Sequence, residues 1–209
     1  MPNAPRLARS LAALAACLTL AVVALAFAPE PDPVPTRWQL QVDPGPLRVA
    51  TVQTERGFRK YLYFTYTITN YWGEDLLFFP DLQLKTDEAT VQRSGRDVPV
   101  AVQDEIMRRL NNPLLEDQIS IVGQVLQGPE NARTGLAIWP AEDLDVDEVI
   151  VFFAGLSGEN KSYVVVDPGG QRERFNLRKT LMLRYDTPGE FGQRDNEELT
   201  LADRLWVMR

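Results

Sequence analysis

The segment that most constrains the fold of this chain is residues 60–70, which read Lys-Tyr-Leu-Tyr-Phe-Thr-Tyr-Thr-Ile-Thr-Asn. Side chains of a β-strand alternate between the two faces of the sheet, so every second residue shares a face. One face of this segment is apolar and the other is semi-polar; the apolar face carries Leu62, Phe64, Tyr66 and Ile68. The pattern predicts a strand that turns its apolar face toward a core.

Short segments rich in β-branched and aromatic residues recur along the rest of the chain, separated by turn residues. They predict strands at residues 38–42, 47–53, 76–79, 82–86, 90–93, 135–139, 148–154, 162–167, 174–186 and 204–208. One helix is predicted at about residues 101–111, where Val102, Ile106 and Leu110 recur at four-residue spacing. Residues 114–127 are compatible with a second short helix or with an extended connection.

This succession of short strands predicts a mainly β fold. The expected architecture is an immunoglobulin-like or fibronectin-like antiparallel β-sandwich with the helical segment inserted, and a β-barrel is the alternative. Three regions are expected along the chain. Residues 1–28 form a leader, residues 29–36 form a proline-rich extended linker, and residues 37–209 form a single domain.

The leader has the composition of an export signal. Arg6 and Arg9 supply a positive start, and an almost unbroken apolar run occupies residues 11–28. A positive start, an apolar run and small residues at a cleavage point are typical of a signal peptide.

Three fates are compatible with this segment. Cleavage is predicted after Ala24-Leu25-Ala26, before Phe27, with Ala26-Phe27-Ala28 as a second motif. The apolar run is also just long enough for an uncleaved signal anchor, and Leu14-Ala15-Ala16-Cys17 matches a bacterial lipobox that would lipidate Cys17. Each fate makes the rest of the chain extracytoplasmic, either periplasmic, secreted or tethered, with membrane contact only through this segment.

The residue types missing from the chain argue against most catalytic and metal chemistry. There is no histidine, and the single cysteine, Cys17, lies in the leader. The domain therefore has no thiolate nucleophile, no histidine base and no histidine or cysteine metal ligands, so neither an enzyme nor a cofactor is expected. Carboxylates could still hydrolyse glycosides, although no local motif singles out a pair.

Clustered acids are the remaining candidate for a metal site. Residues 142–148 read Glu-Asp-Leu-Asp-Val-Asp-Glu, which begins like a calcium-binding loop. The sixth position is Glu148 where that loop needs glycine, and the twelfth is Ala154 where it needs glutamate, so no metal site is predicted. The chain has a net charge of −7, which disfavours nucleic acid as a partner.

Aromatic residues are the better functional lead, because flat rings bind sugars and protein partners. Possible ligand contacts are Trp72, in a polar turn, together with Tyr61 and Tyr63 on the semi-polar face of the strand at 60–70. Core packing is the alternative role for these rings. Arginines at 174, 178 and 184 share a strand face and could dock an acidic partner, or could pair with the chain's own acids.

Thr67-Ile68-Thr69-Asn70-Tyr71-Trp72-Gly73-Glu74-Asp75-Leu76 resembles the strand-turn-strand element of bacterial secreted immunoglobulin-like domains. Residues 112–115, 126–128 and 153–159 are similar to stretches of uncharacterised exported bacterial proteins of planctomycete type. The resemblance implies a sandwich fold and carries no functional residue. The expected function is a non-catalytic interaction or structural module of the bacterial cell envelope, with an unknown protein or glycan partner. A carbohydrate-binding module that uses exposed aromatics is the alternative.

Overall fold

A computed structural model describes residues 29–86, 91–141, 146–166, 169–187 and 195–209. The predicted leader and residues 142–145 of the acidic run lie outside the described residues. Residues Pro31–Arg209 form one compact unit. Its elements are β1 (Gln41–Thr54), β2 (Gly57–Asn70), β3 (Leu76–Phe78), β4 (Asp81–Thr86), β5 (Val91–Arg93), α1 (Val100–Leu110), β6 (Leu115–Glu116), β7 (Gly123–Val125), β8 (Gly128–Pro140), β9 (Glu148–Ala154), β10 (Asn160–Val166), β11 (Arg172–Asp186) and β12 (Thr200–Met208).

The smaller of the two main sheets has four strands in the order β1-β2-β8-β6. β1, β2 and β8 pair antiparallel, and the two-residue β6 runs parallel to β8. The strands predicted at 38–42 and 47–53 merge into β1, because the pairing with β2 continues across a bulge between Pro44 and Leu47. A proline at a bulge leaves the ladder intact on either side of it.

The larger sheet has the order β10-β11-β9-β4-β5, and β12 also pairs with β11. The second half of β11 lies between β9 and β12, since residues Leu181 to Asp186 pair with both strands. The first half of β11 pairs with β10, which follows β9 along the same edge. β10 and residues 172–178 therefore form a two-stranded extension, which we call the β10–β11 ribbon. β3 and β7 make a separate two-stranded antiparallel sheet.

The two main sheets share one hydrophobic core. The predicted apolar face of β2 is confirmed: Leu62, Phe64, Tyr66 and Ile68 are all buried there. Facing residues of the larger sheet alternate in the same way, and those in the core are Leu82, Leu84, Val149, Val151, Phe153, Leu181, Leu183 and Tyr185. At the centre, the Phe153 ring meets the Tyr66 ring edge-on, with centroids 4.6 Å apart.

Helix α1 covers the other face of the smaller sheet. It begins one residue before the predicted segment, and Val102 and Ile106 point into a second apolar cluster with Ala50, Val52 and Leu136. Its last turn ends at Asn111, which has the left-handed φ of 46° and donates its N–H to the carbonyl of Met107. The smaller sheet is consequently buried on both faces.

Among the described residues the chain is thus mainly β with one short helix, and none of its sheets closes on itself. The layered pair of sheets is consistent with a β-sandwich, and the barrel alternative does not fit. Residues 114–127 are an extended connection containing β6 and β7, and the alternative of a second α-helix there is excluded.

Candidate interaction surface

The structure places Tyr61 and Tyr63 beneath helix α1. Their side chains are 5% and 4% exposed, within the cluster that Val102 and Ile106 complete. The Tyr63 hydroxyl donates to Asn196 Oδ1, and burial raises the pKa of Tyr63 above its ordinary value. Neither ring offers a face to a ligand in this arrangement. The alternation along β2 shows which residues share a face, but it cannot show that a helix some 40 residues later covers that face.

Trp72 remains at the surface with 40% of its side chain exposed. It lies in the loop between β2 and β3, which the fully buried Asn70 holds in place. Asn70 Nδ2 donates to the carbonyl oxygens of Glu74 and Val125 at 2.8 and 2.9 Å, and its Oδ1 accepts from the Trp72 N–H at 3.0 Å. One buried amide therefore fixes the loop that carries Trp72 against β7.

The small β3–β7 sheet next to this loop buries only one of its faces. Leu76, Phe78 and Val125 point into the core. Leu77 and Gln124, which pair with each other and alternate with these residues along their strands, therefore point outward. Leu77 and Phe79 are 58% and 57% exposed. The exposed large apolar residues of β3, of its partner β7 and of the segments that flank these two strands are Tyr71, Trp72, Leu77, Phe79, Val122 and Leu126, and we call this set the Trp72 surface.

Four of these six residues are aliphatic or phenyl side chains that the sequence interpretation did not select: Leu77, Phe79, Val122 and Leu126. The continuous apolar run at residues 76–79 carried a usable signal, since a strand with four consecutive apolar residues must expose two of them unless both of its faces are covered. Exposed groups of large apolar side chains are candidates for interaction sites.

The other tryptophans belong to the core. Trp139 is fully buried in it, and Trp38 and Trp206 are partly buried against it. Of the three arginines on one face of β11, Arg178 pairs with Asp81 at 3.0 Å and Arg184 with Glu148 at 3.4 Å.

Four charged side chains meet where the segment 29–36 contacts the domain. Glu159 and Lys179, both nearly inaccessible to solvent, form an ion pair at 2.9 Å. The Glu159 carboxylate also accepts from the N–H of Asp32 at 2.8 Å, and Lys179 donates to the Asp32 carbonyl at 3.2 Å. Lys161 pairs with the Asp32 carboxylate at 2.6 Å. The proline-rich segment is thus bonded to the domain at Asp32, although its side chains stay out of the core.

Both carboxyl groups of this cluster are held in their ionised form. Burial acts to raise the pKa of Glu159, but the Asp32 N–H and the Lys179 ammonium outweigh burial and hold that pKa below 4.5. The hydrogen bond from Lys161 lowers the pKa of Asp32 below its ordinary 3.8. The ionised Glu159 carboxylate has no proton to donate, and its oxygens are engaged by the Asp32 N–H and the Lys179 ammonium. We therefore assign this cluster a structural role.

These depressed pKa values predict a loss of stability in acid. A carboxyl group whose pKa is lower in the folded state contributes its full stability above its unfolded pKa, and the contribution disappears as the pH falls through the folded value. We expect the free energy of unfolding to fall as the pH drops from about 5 to 3, and Glu159→Gln to flatten that dependence. Urea unfolding across this range measures both slopes, and identical slopes would contradict the assignment to Glu159.

Within the described part of the chain, no group of three or more carboxylate, histidine or cysteine side chains is arranged to hold a metal ion. Ser157 lies in the connection between β9 and β10, where its Oγ accepts from the Glu159 N–H at 3.2 Å. Gly155 begins this connection with φ of 92°, and a Cβ atom there would lie 2.2 Å from the Phe79 carbonyl oxygen. Glycine is required at that position for backbone geometry.

None of the helices in the described ranges is both long and apolar enough to span a membrane. Comparison of the chain with protein-family models, with curated proteins and with solved structures found no match.

Proposed function

We propose that this protein is a non-catalytic interaction module that works outside the cytoplasm and binds a protein partner through the Trp72 surface. The observation that carries the proposal is the outward side of β3, where Leu77 and Phe79 are more than half exposed, together with the exposed Trp72 in the loop that leads into this strand. Large apolar side chains on a soluble domain cost solubility, and partner binding is the use that offsets this cost.

The makeup of the surface supports a protein partner over a glycan. Sugar-binding sites combine flat aromatic faces with side chains that hydrogen-bond to hydroxyl groups. Here Tyr61 and Tyr63 are buried, and the strand that follows the Trp72 loop exposes the apolar side chains of Leu77 and Phe79. Aromatic and aliphatic residues around one tryptophan are typical of a protein-binding hot spot.

The immunoglobulin-like class of the sandwich and the bacterial envelope setting are part of this proposal. The strand-turn-strand resemblance of residues 67–76 and the composition of residues 1–28 support them. An export leader would place the domain where interaction modules of the envelope operate.

Photocrosslinking in the envelope of the native cell tests the proposal. A photoreactive phenylalanine analogue in place of Leu77 is expected to crosslink to one discrete protein. Trp72→Ala is expected to weaken the affinity for that captured protein about thirtyfold, since a central tryptophan of an interface contributes about 2 kcal/mol.

Phe58 supplies the matched control, because it is apolar and 75% exposed but lies at the start of β2. The same photoreactive residue in place of Phe58 is expected to give only background crosslinking. The Phe58→Ala variant is expected to bind the captured protein with wild-type affinity. Equal crosslinking from both positions would refute the Trp72 surface. Binding of the purified protein to a glycan, lost in Trp72→Ala, would replace the proposal with the carbohydrate-binding function.

A further inference from the structure

The β10–β11 ribbon has an open edge in its backbone. Within the described residues β10 pairs only with β11, so it is an edge strand. Hydrogen-bonded and non-bonded pairs alternate along an antiparallel ladder. Lys179 donates its N–H to the Glu159 carbonyl, so the bonded pairs continue at Lys161, Tyr163 and Val165. Ser162, Val164 and Val166 consequently direct their N–H and C=O groups away from β11.

This edge lacks the features that usually block strand addition. Exposed edges are protected by proline, by charged side chains or by covering segments. Residues 162–166 contain no proline and no charge, and Val164, Val165 and Val166 are all exposed. The outward N–H and C=O groups of Ser162, Val164 and Val166 can accept one further strand.

The two faces of the ribbon differ in chemistry. In the register of the hairpin, Arg172 lies opposite Val166 and Arg174 opposite Val164, so these residues share a face. Within the described residues neither arginine has an acidic partner, in a protein whose net charge is −7. The other face carries the stacked rings of Tyr163 and Phe175, with centroids 5.3 Å apart.

A strand added to β10 would lie about 10 Å from β11, two strand spacings away. An arginine side chain crosses most of that distance, and the short side chains of Val164 and Val166 leave its path clear. Glutamate at alternate positions of the added strand would repeat about every 7 Å, which is also the spacing of Arg172 and Arg174. Apolar residues at the intervening positions would face the Tyr163–Phe175 side.

We propose that the open edge of β10 binds an extended segment of a partner protein in which acidic and apolar residues alternate. The backbone groups of Ser162, Val164 and Val166 provide the hydrogen bonds, and Arg172 and Arg174 select the acidic residues. This site is separate in sequence from the Trp72 surface, and it does not depend on the function proposed for that surface.

The test measures the fluorescence anisotropy of a labelled nine-residue peptide of alternating glutamate and valine, titrated with the full-length protein. Saturable binding is expected, weakening as salt is raised. Three altered peptides are each expected to bind at least about tenfold more weakly: one with lysine for glutamate, one with the same residues in two blocks, and one N-methylated on the edge-facing amides. If the peptide with its glutamates and valines in two separate blocks bound as tightly as the alternating peptide, the proposal would be overturned.

Protein variants locate the site. Val164→Pro removes an outward N–H without removing a bond to β11, and is expected to weaken binding about tenfold or more. Arg172→Ser with Arg174→Ser is expected to weaken it about fivefold and to reduce its salt dependence. Arg56→Ser with Arg96→Ser, which changes the charge equally at exposed turn positions, is expected to have no effect, as is Trp72→Ala.

Three further results would overturn the proposal: no saturable binding of the alternating peptide, wild-type binding by the arginine pair variant, or wild-type binding by a folded Val164→Pro protein. Concentration-dependent dimerisation of the protein alone, abolished by Val164→Pro, would assign the edge to a second copy of this chain and would also overturn it. Circular dichroism verifies the fold of each variant, and the peptide comparisons stand without any variant.

Discussion

Phe153→Ala is expected to lower the free energy of unfolding by about 4 kcal/mol, a loss typical of truncating a fully buried aromatic ring. The Phe153 side chain is fully buried at the centre of the core, where its ring contacts Tyr66 edge-on and lies 6.3 Å from the ring of Phe78. Truncation to alanine removes the transfer free energy of the ring and leaves a cavity between the two sheets that rigid strands cannot close. Urea unfolding followed by tryptophan fluorescence measures the loss.

The preceding residue provides the matched control, because Phe152 is the same side chain in the same strand on the opposite face. It is half-buried, and its ring lies 4.1 Å from the guanidinium carbon of Arg209. Phe152→Ala is expected to cost only about 1 kcal/mol, from partial burial and the cation–π contact. Equal losses from the two variants would contradict the assignment of Phe153, and not Phe152, to the main core.

Lys179→Met is expected to lower the free energy of unfolding by about 3 kcal/mol. The substitution keeps the length of the side chain and removes the ammonium that pairs with Glu159, leaving an ionised carboxylate buried with too few partners. The expected loss is near the lower end for a broken buried pair, because Glu159 retains the hydrogen bond from the Asp32 N–H and the Lys161 ammonium at 3.5 Å. Denaturant unfolding at pH 7 is the measurement.

Two further variants separate this explanation from a general loss of packing. Lys179→Met combined with Glu159→Leu removes both charges and is expected to recover most of the loss, since a buried ion pair adds little over an apolar pair of similar size. Lys161→Met breaks the more exposed pair with Asp32 and the longer, 3.5 Å pair with Glu159, and it is expected to cost clearly less than Lys179→Met. Failure of the double variant to recover stability would show that Lys179 acts through its packing against Trp206, over whose ring the ammonium lies at 5.4 Å.

The two proposed binding sites use different physical chemistry. The Trp72 surface offers apolar side chains, and its loop is held by the buried Asn70. The β10 edge offers backbone hydrogen bonds to an added strand, whose acidic residues Arg172 and Arg174 would select. A partner that engaged both sites would gain affinity from their linkage, provided that its two segments could reach both at once. Trp72→Ala and Val164→Pro, each tested alone, distinguish one partner at two sites from two separate partners.

Much of the fold could be predicted from the sequence. The strand predicted at 148–154 has the bounds of β9, and α1 differs from its prediction by one residue at each end. These elements have strong local signals: a continuous apolar run bounded by acids and glycine, and a four-residue apolar period closed by Asn111. The bulge in β1 could not be predicted, because only pairing with β2 reveals that the segments around Pro44 form one strand.

The candidate surfaces were less accessible to sequence reasoning. The polar turn around Trp72 favours exposure, and the structure agrees, whereas Tyr61 and Tyr63 lie on a face that α1 covers. The strand period indicates that the arginines at 174 and 178 share a face. It does not indicate that Arg178 forms an ion pair with Asp81 while Arg174 has no acidic partner among the described residues. Exposure and pairing depend on which distant segments meet, and local periodicity does not contain that information.

The alternation in residues 60–70 by itself determined that this stretch is a strand, and it determined which four residues enter the main core. Local sterics and the burial of apolar side chains are sufficient for both. Only the tertiary structure decided that the opposite face is also buried, because the cover comes from a helix whose docking depends on the whole sheet. Within the described ranges, the tertiary structure likewise left one side of β3 and β7 and the outer edge of β10 exposed, because no described segment packs against them.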